Sequence, residues 1–118
     1  MYLRIYKNGN ILKDEPNWYL IIGDDGRVWG EIHRRPSSRE FKAQMPVSDV
    51  QTFIRLAENM GQRFPRVQKL ESDDICVRVL KEGGEDVYSY AVSPSEQCAE
   101  PEVAFFTVVK RLLETNAA

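Results

Sequence analysis

The sequence predicts an α+β domain, an antiparallel sheet of about five to six strands with two helices packed on one face. Three observations predict it. Two stretches, 48–60 and 103–113, carry apolar residues at helical spacing. The remaining apolar runs are short and rich in strand formers. Two pairs of those runs flank Asp-Gly or Gly-Gly turns, which join antiparallel neighbours.

The elements follow in order. Tyr2 to Tyr6 alternates as a strand, and Asn8-Gly9 then reads as a hairpin turn. Ile11-Leu12-Lys13 is either a short returning strand or the start of a loop through Pro16. Trp18 to Ile22 and Arg27 to His33 flank Gly23-Asp24-Asp25-Gly26 and form the clearest hairpin in the chain. Arg34 to Arg39 reads as a basic loop. Phe41 to Met45 reads as a short strand with Phe41, Ala43 and Met45 on one side.

Pro46 then feeds the first helix. Ser48 with Gln51 has the spacing of a capping box, and Asp49 suits the positive end of the helix dipole. Val50, Phe53, Ile54, Ala57 and Met60 form its apolar stripe, and Gly61 stands where a left-handed C-cap is expected. A polar stretch from Gln62 to Asp74 leads to a second hairpin. Ile75 to Lys81 and Val87 to Val92 turn there at Gly83-Gly84. Pro101 opens the last helix, whose stripe is Phe105, Phe106, Val108, Val109, Leu112 and Leu113. Truncating Phe53 or Phe106 is expected to cost about 3–5 kcal/mol.

Composition narrows the function classes. The chain has 118 residues, enough for one domain with a real core, and its formal net charge of −2 gives no electrostatic case for nucleic acid or an anionic membrane. No apolar run is long enough to span a bilayer. The N-terminus lacks the apolar region of a secretory signal, so a cytoplasmic location is expected. Cys76 and Cys98 are expected as free thiols. There is no Cys-x-x-Cys and a single histidine, so neither a metal nor another cofactor is expected.

Catalysis finds no constellation either. His33 is accompanied by no nucleophile motif, and Asp24-Asp25 and Asp73-Asp74 sit where turns and loops favour aspartate. The aromatic residues are more informative. Trp18, Tyr19, Trp29, Tyr88 and Tyr90 lie on strands of a sheet with one uncovered side, and tryptophan and tyrosine beside arginine is the composition of a protein-binding hot spot. Trp18, Trp29, His33, Arg34, Arg35, Tyr88 and Tyr90 are therefore the expected partner-binding residues.

Trp18 to Ile22 with Asp25 to Val28, the helix from Ser48 to Met60, Asp74 to Val79 and the helix from Val103 to Leu113 together resemble a group of small bacterial domains that includes emfourin-like protease inhibitors. That family's paired glycines after the first strand are absent, and Asn8-Gly9-Asn10 stands there instead. The resemblance implies a protein-binding inhibitor and carries over no inhibitory residue. The expectation from sequence is a non-enzymatic binding protein that neutralises another protein (a toxin or an enzyme), as an immunity protein or inhibitor does. A regulatory or structural subunit of an oligomer, including a homodimer, is the alternative, and a small enzyme or ligand carrier using a pocket between sheet and helices is the third expectation.

Overall fold

The computed structural model describes residues 1–8, 16–34, 37–64, 74–92 and 100–116. Among these residues six strands and two helices follow one another as strands, helix, strands, helix. The strands are β1 (Tyr2–Lys7), β2 (Asn17–Gly23), β3 (Arg27–Arg34), β4 (Ser37–Gln44), β5 (Ile75–Leu80) and β6 (Asp86–Val92). The helices are α1 (Val47–Arg63) and α2 (Glu100–Asn116). All neighbours in the sheet are antiparallel, in the order β4-β3-β2-β1-β5-β6, so the second hairpin docks against β1.

Successive side chains of a strand point to opposite faces, and the register turns this into two chemically different sides. Leu3, Ile5, Leu20, Ile22, Val28, Phe41, Val77, Val79, Tyr90 and Val92 are buried in one cluster with residues of both helices. That is the helix side. Phe53 of α1 and Phe105 of α2 stack in it with ring centroids 4.7 Å apart. Arg63 near the end of α1 pairs with the buried Glu102 in the first turns of α2, tying the two helices together. No described helix packs on the other side, which is called the open side below.

The two turned hairpins form as the glycines require. Gly26, Gly83 and Gly84 adopt φ of +87°, +94° and +90°, a region open to glycine at no steric cost. The Gln44 side-chain amide donates to the Asp25 carbonyl and the Met45 N–H to the Gly26 carbonyl, fastening the first turn to the end of β4.

Four local expectations are corrected. The helix begins at Val47 with Pro46 as its N-cap, and no side-chain cap hydrogen bond forms. The Pro46 carbonyl accepts from the N–H groups of Asp49 and Val50, so Ser48 falls inside the first turn and the capping box is not made. Gly61 does not end α1, which runs on to Arg63 with Phe64 as its C-cap. The fourth strand is longer than expected, because pairing with β3 from Arg27↔Gln44 to Arg34↔Ser37 draws residues of the basic stretch into the sheet. Phe105 rather than Phe106 fills the centre, with Phe106 only partly buried against it. The Asn8-Gly9 turn, the stretch 11–13, Asp73 and Cys98 lie outside the described residues.

Candidate functional site: the open side of the sheet

The open side carries a run of aromatic rings. Tyr6 and Tyr19 face each other across β1 and β2, with centroids 6.1 Å apart and planes 19° from parallel. Trp29 continues the run on β3, edge-on to Tyr19 at 6.1 Å. All three rings are half-buried, as is Tyr2 at the start of β1. Such rings bury much apolar area with few rotatable bonds, which is why they recur as anchors in protein interfaces.

Charged groups stand beside the rings. The Arg78 guanidinium is held by Asp86 in a two-pronged contact, Nε to Oδ1 at 3.0 Å and Nη2 to Oδ2 at 2.9 Å. This pairing holds the Arg78 proton still more firmly than usual. Arg4 lies directly across from Arg78 on β1. Among the described residues it has no such partner: its Nε is shielded from solvent without an acceptor there, and its guanidinium lies 5.8 Å from the Tyr2 ring centroid. An arginine seated on an aromatic ring and shielded at one nitrogen has given up hydration without gaining a carboxylate. Farther along, His33 Nε2 meets Glu31 Oε1 at 2.7 Å.

Cys76 also belongs to this side. Its thiol is buried and hydrogen-bonded to Tyr6. Burial raises the Cys76 pKa, and burial together with this hydrogen bond pushes the Tyr6 hydroxyl up to about 12. Neither group is poised to ionise at neutral pH, so this pair acts as packing.

No protein-family model, curated protein or solved structure matches this chain. The functional reading therefore rests on the residues and their placement.

Of the partner-binding residues expected from sequence, Trp29 and His33 lie on the open side. Trp18 pairs with Ile32 across β2 and β3 but points to the helix side, where it is 9% exposed. Tyr90 is 1% exposed, and its hydroxyl donates to the Ala57 carbonyl of α1 at 2.6 Å. Burial drives its pKa well above the usual tyrosine value. Tyr88 packs against α1 at Gly61. Arg34 is exposed but belongs by alternation to the helix side, opposite His33, and Arg35 lies outside the described residues. Trp18, Tyr88 and Tyr90 are thus structural residues of the helix side. Tyr2, Arg4, Tyr6 and Tyr19 take their place.

The signal for that exchange was in the sequence. Counting by twos from Leu3 and Ile5 assigns Tyr2, Arg4 and Tyr6 to the uncovered side. The same count from Leu20 and Ile22 takes Trp18 inward.

Proposed function

We propose that this chain is a non-enzymatic protein-binding module that neutralises a partner protein, as an inhibitor or immunity protein does, and that it docks through the open side of its sheet. The observation that carries the reading is the run Tyr6–Tyr19–Trp29 beside Arg4, whose Nε has no acceptor among the described residues. Six strands of six to eight residues lay out roughly 500–750 Å² at ~4.8 Å between strands and ~3.3 Å per residue. That approaches the ~800 Å² per partner of a standard interface. The fitting partner presents an apolar patch with a carboxylate placed to reach Arg4, since an arginine so shielded gains most from a charge-assisted hydrogen bond.

The reading also accounts for what the surface lacks. Arg4, Arg27, Lys42 and Arg78 stand against Asp25, which pairs with Arg27, and Glu31, Glu40 and Asp86, so the described residues of the open side carry no excess of either sign. A nucleic acid or anionic membrane would require a positive excess. Protein interfaces instead centre on aromatic residues and arginine.

Affinity capture from the native host tests the proposal by comparing the wild-type chain with variants. Trp29→Ala, Tyr19→Ala and Arg4→Gln should each weaken capture of the same protein about 30-fold or more, as loss of a ~2 kcal/mol anchor does. The purified partner should lose its activity when the wild-type chain is added. A captured protein that remains fully active would reduce the reading to binding alone. A concentration-independent homodimer broken by Trp29→Ala would favour the oligomer instead, and capture unaffected by all three variants would overturn the proposal.

A further inference from the structure

A second surface lies on the helix side and is independent of the open side. A groove of about 720 Å³ runs between α2 and the end of the sheet where β1 stops and β2 begins. This is within the ~300–1,000 Å³ typical of small-molecule sites. Its floor is apolar: Trp18, Ile32 and Ile75 from the sheet, and Phe106, Val109 and Leu113 from α2.

Its lining charges are of one predominant sign. Strand alternation brings Lys7, Arg34 and Arg39 to the helix side at this end, and Lys110 adds a fourth cation from α2. Glu114 is the single carboxylate among the lining residues, 3.8 Å from Lys110 of its own helix. An excess of positive charge is thus gathered at one groove of a chain whose formal net charge is −2. Solvated surface charge would need no apolar floor beneath it.

We infer that this groove binds an amphipathic carboxylate, a single unbranched fatty chain lying along Trp18, Phe106 and Leu113 with its head group among Lys7, Arg34 and Lys110. The two halves of the groove select this chemistry jointly. A neutral apolar molecule gains nothing from the lining cations, and a small polar anion leaves the floor wet. A fatty carboxylate satisfies both.

Titration calorimetry on the full chain with octanoate, decanoate and dodecanoate, each below its micelle concentration, tests the inference. Binding should be one to one and tighten about three- to fourfold per added methylene, the fold-change that corresponds to ~0.8 kcal/mol each. Arg34→Glu and Lys110→Glu change exposed side chains, so circular dichroism should show an intact fold. Each should weaken decanoate binding at least about tenfold. In proton–nitrogen NMR spectra the Trp18 indole N–H should shift while that of Trp29, on the opposite side, stays put, with Trp29→Phe assigning the two signals. Equal affinity for decanol or decyltrimethylammonium, shifts confined to Trp29, no heat with dodecanoate, or association only with anionic vesicles would each overturn the inference.

Discussion

Gly61→Ala sets two effects of opposite sign against each other. In a free helix the change stabilises, because alanine loses less backbone entropy and its helix propensity exceeds that of glycine by ~1 kcal/mol. The structure opposes this. A Cβ at position 61 would lie 2.6 Å from Cγ, 2.7 Å from Cδ1 and 2.9 Å from Cβ of Tyr88. These atoms sit at the base of the tyrosine side chain, fixed by β6, so the ring cannot swing clear by rotating its tip. Overpacking of this kind costs about 1–3 kcal/mol, while the helical gain is reduced because position 61 lies in the last turn of α1. The net expectation is a loss of about 1 kcal/mol, or a fall in Tm of about 3–6 °C for a chain of this length. Urea unfolding of wild type, Gly61→Ala, Tyr88→Ala and the double variant gives a complete cycle. In the Tyr88→Ala background the glycine change should turn neutral or stabilising, with a coupling of about 1–3 kcal/mol. A more stable Gly61→Ala in the wild-type background would show that the ring does not sit against the helix there, and the account of why α1 tolerates glycine would fail.

Three further outcomes follow from buried groups. Tyr90→Phe removes a buried hydroxyl that donates to Ala57, so urea unfolding should show a loss of about 1–2 kcal/mol; an unchanged midpoint would mean the bond contributes nothing net. The Tyr6 and Tyr90 hydroxyls hold their protons to higher pH in the folded chain than the ~10 of an unfolded tyrosine, Tyr6 to about 12. The folded state therefore binds more protons than the unfolded state above about pH 10, so both contributions are intact below that pH; that of Tyr6 is lost as pH rises from about 10 to 12, and that of Tyr90 falls over the same range and beyond it. Urea midpoints should fall over that window and fall less in Tyr6→Phe, whereas a flat profile would contradict the burial of both rings. The Cys76 thiol, buried and raised in pKa, should react with iodoacetamide at pH 8 about a hundredfold or more slowly in the native chain than in urea. Peptide mass spectrometry separates it from Cys98, and equal rates would show that β5 opens readily.

The fold was legible because its signals are local and repeated. The stripe from Val50 to Met60 and the turns at Gly26 and Gly83-Gly84 need no knowledge of the partner segment, and each lies where the sequence places it. The errors came where tertiary contacts overrule local signals. Ser48 has cap chemistry, but Pro46 already supplies the carbonyl that starts the helix. Gly61 looks like a stop signal, yet it serves as a clearance for Tyr88. Arg34 to Arg39 reads as a loop, and only the register against β3 extends the strand through Ser37 to Gln44. The candidate site was half legible for a related reason. Grouping aromatics by composition put Trp18 with Trp29, although the pairs Trp18↔Ile32 and Ile21↔Trp29 assign them to opposite sides.

That division bears on whether the two proposed surfaces communicate. His33 and Arg34 are adjacent in sequence, yet one pairs with Glu31 on the open side while the other borders the groove under α2. Between them lies a hydrogen-bonded sheet whose register is set by a buried apolar row. A shift of one residue would turn Leu3 and Ile5 outward, so the sheet does not slide to carry a signal. Without a second arrangement of that layer, occupancy of the groove has no route by which to change the open side. Trp29→Ala and Arg34→Glu should therefore act additively on partner binding, within about 0.5 kcal/mol, with or without decanoate present. A coupling of 1 kcal/mol or more in the calorimetric cycle would show instead that the groove regulates docking, and that the sheet yields where its packing says it is rigid.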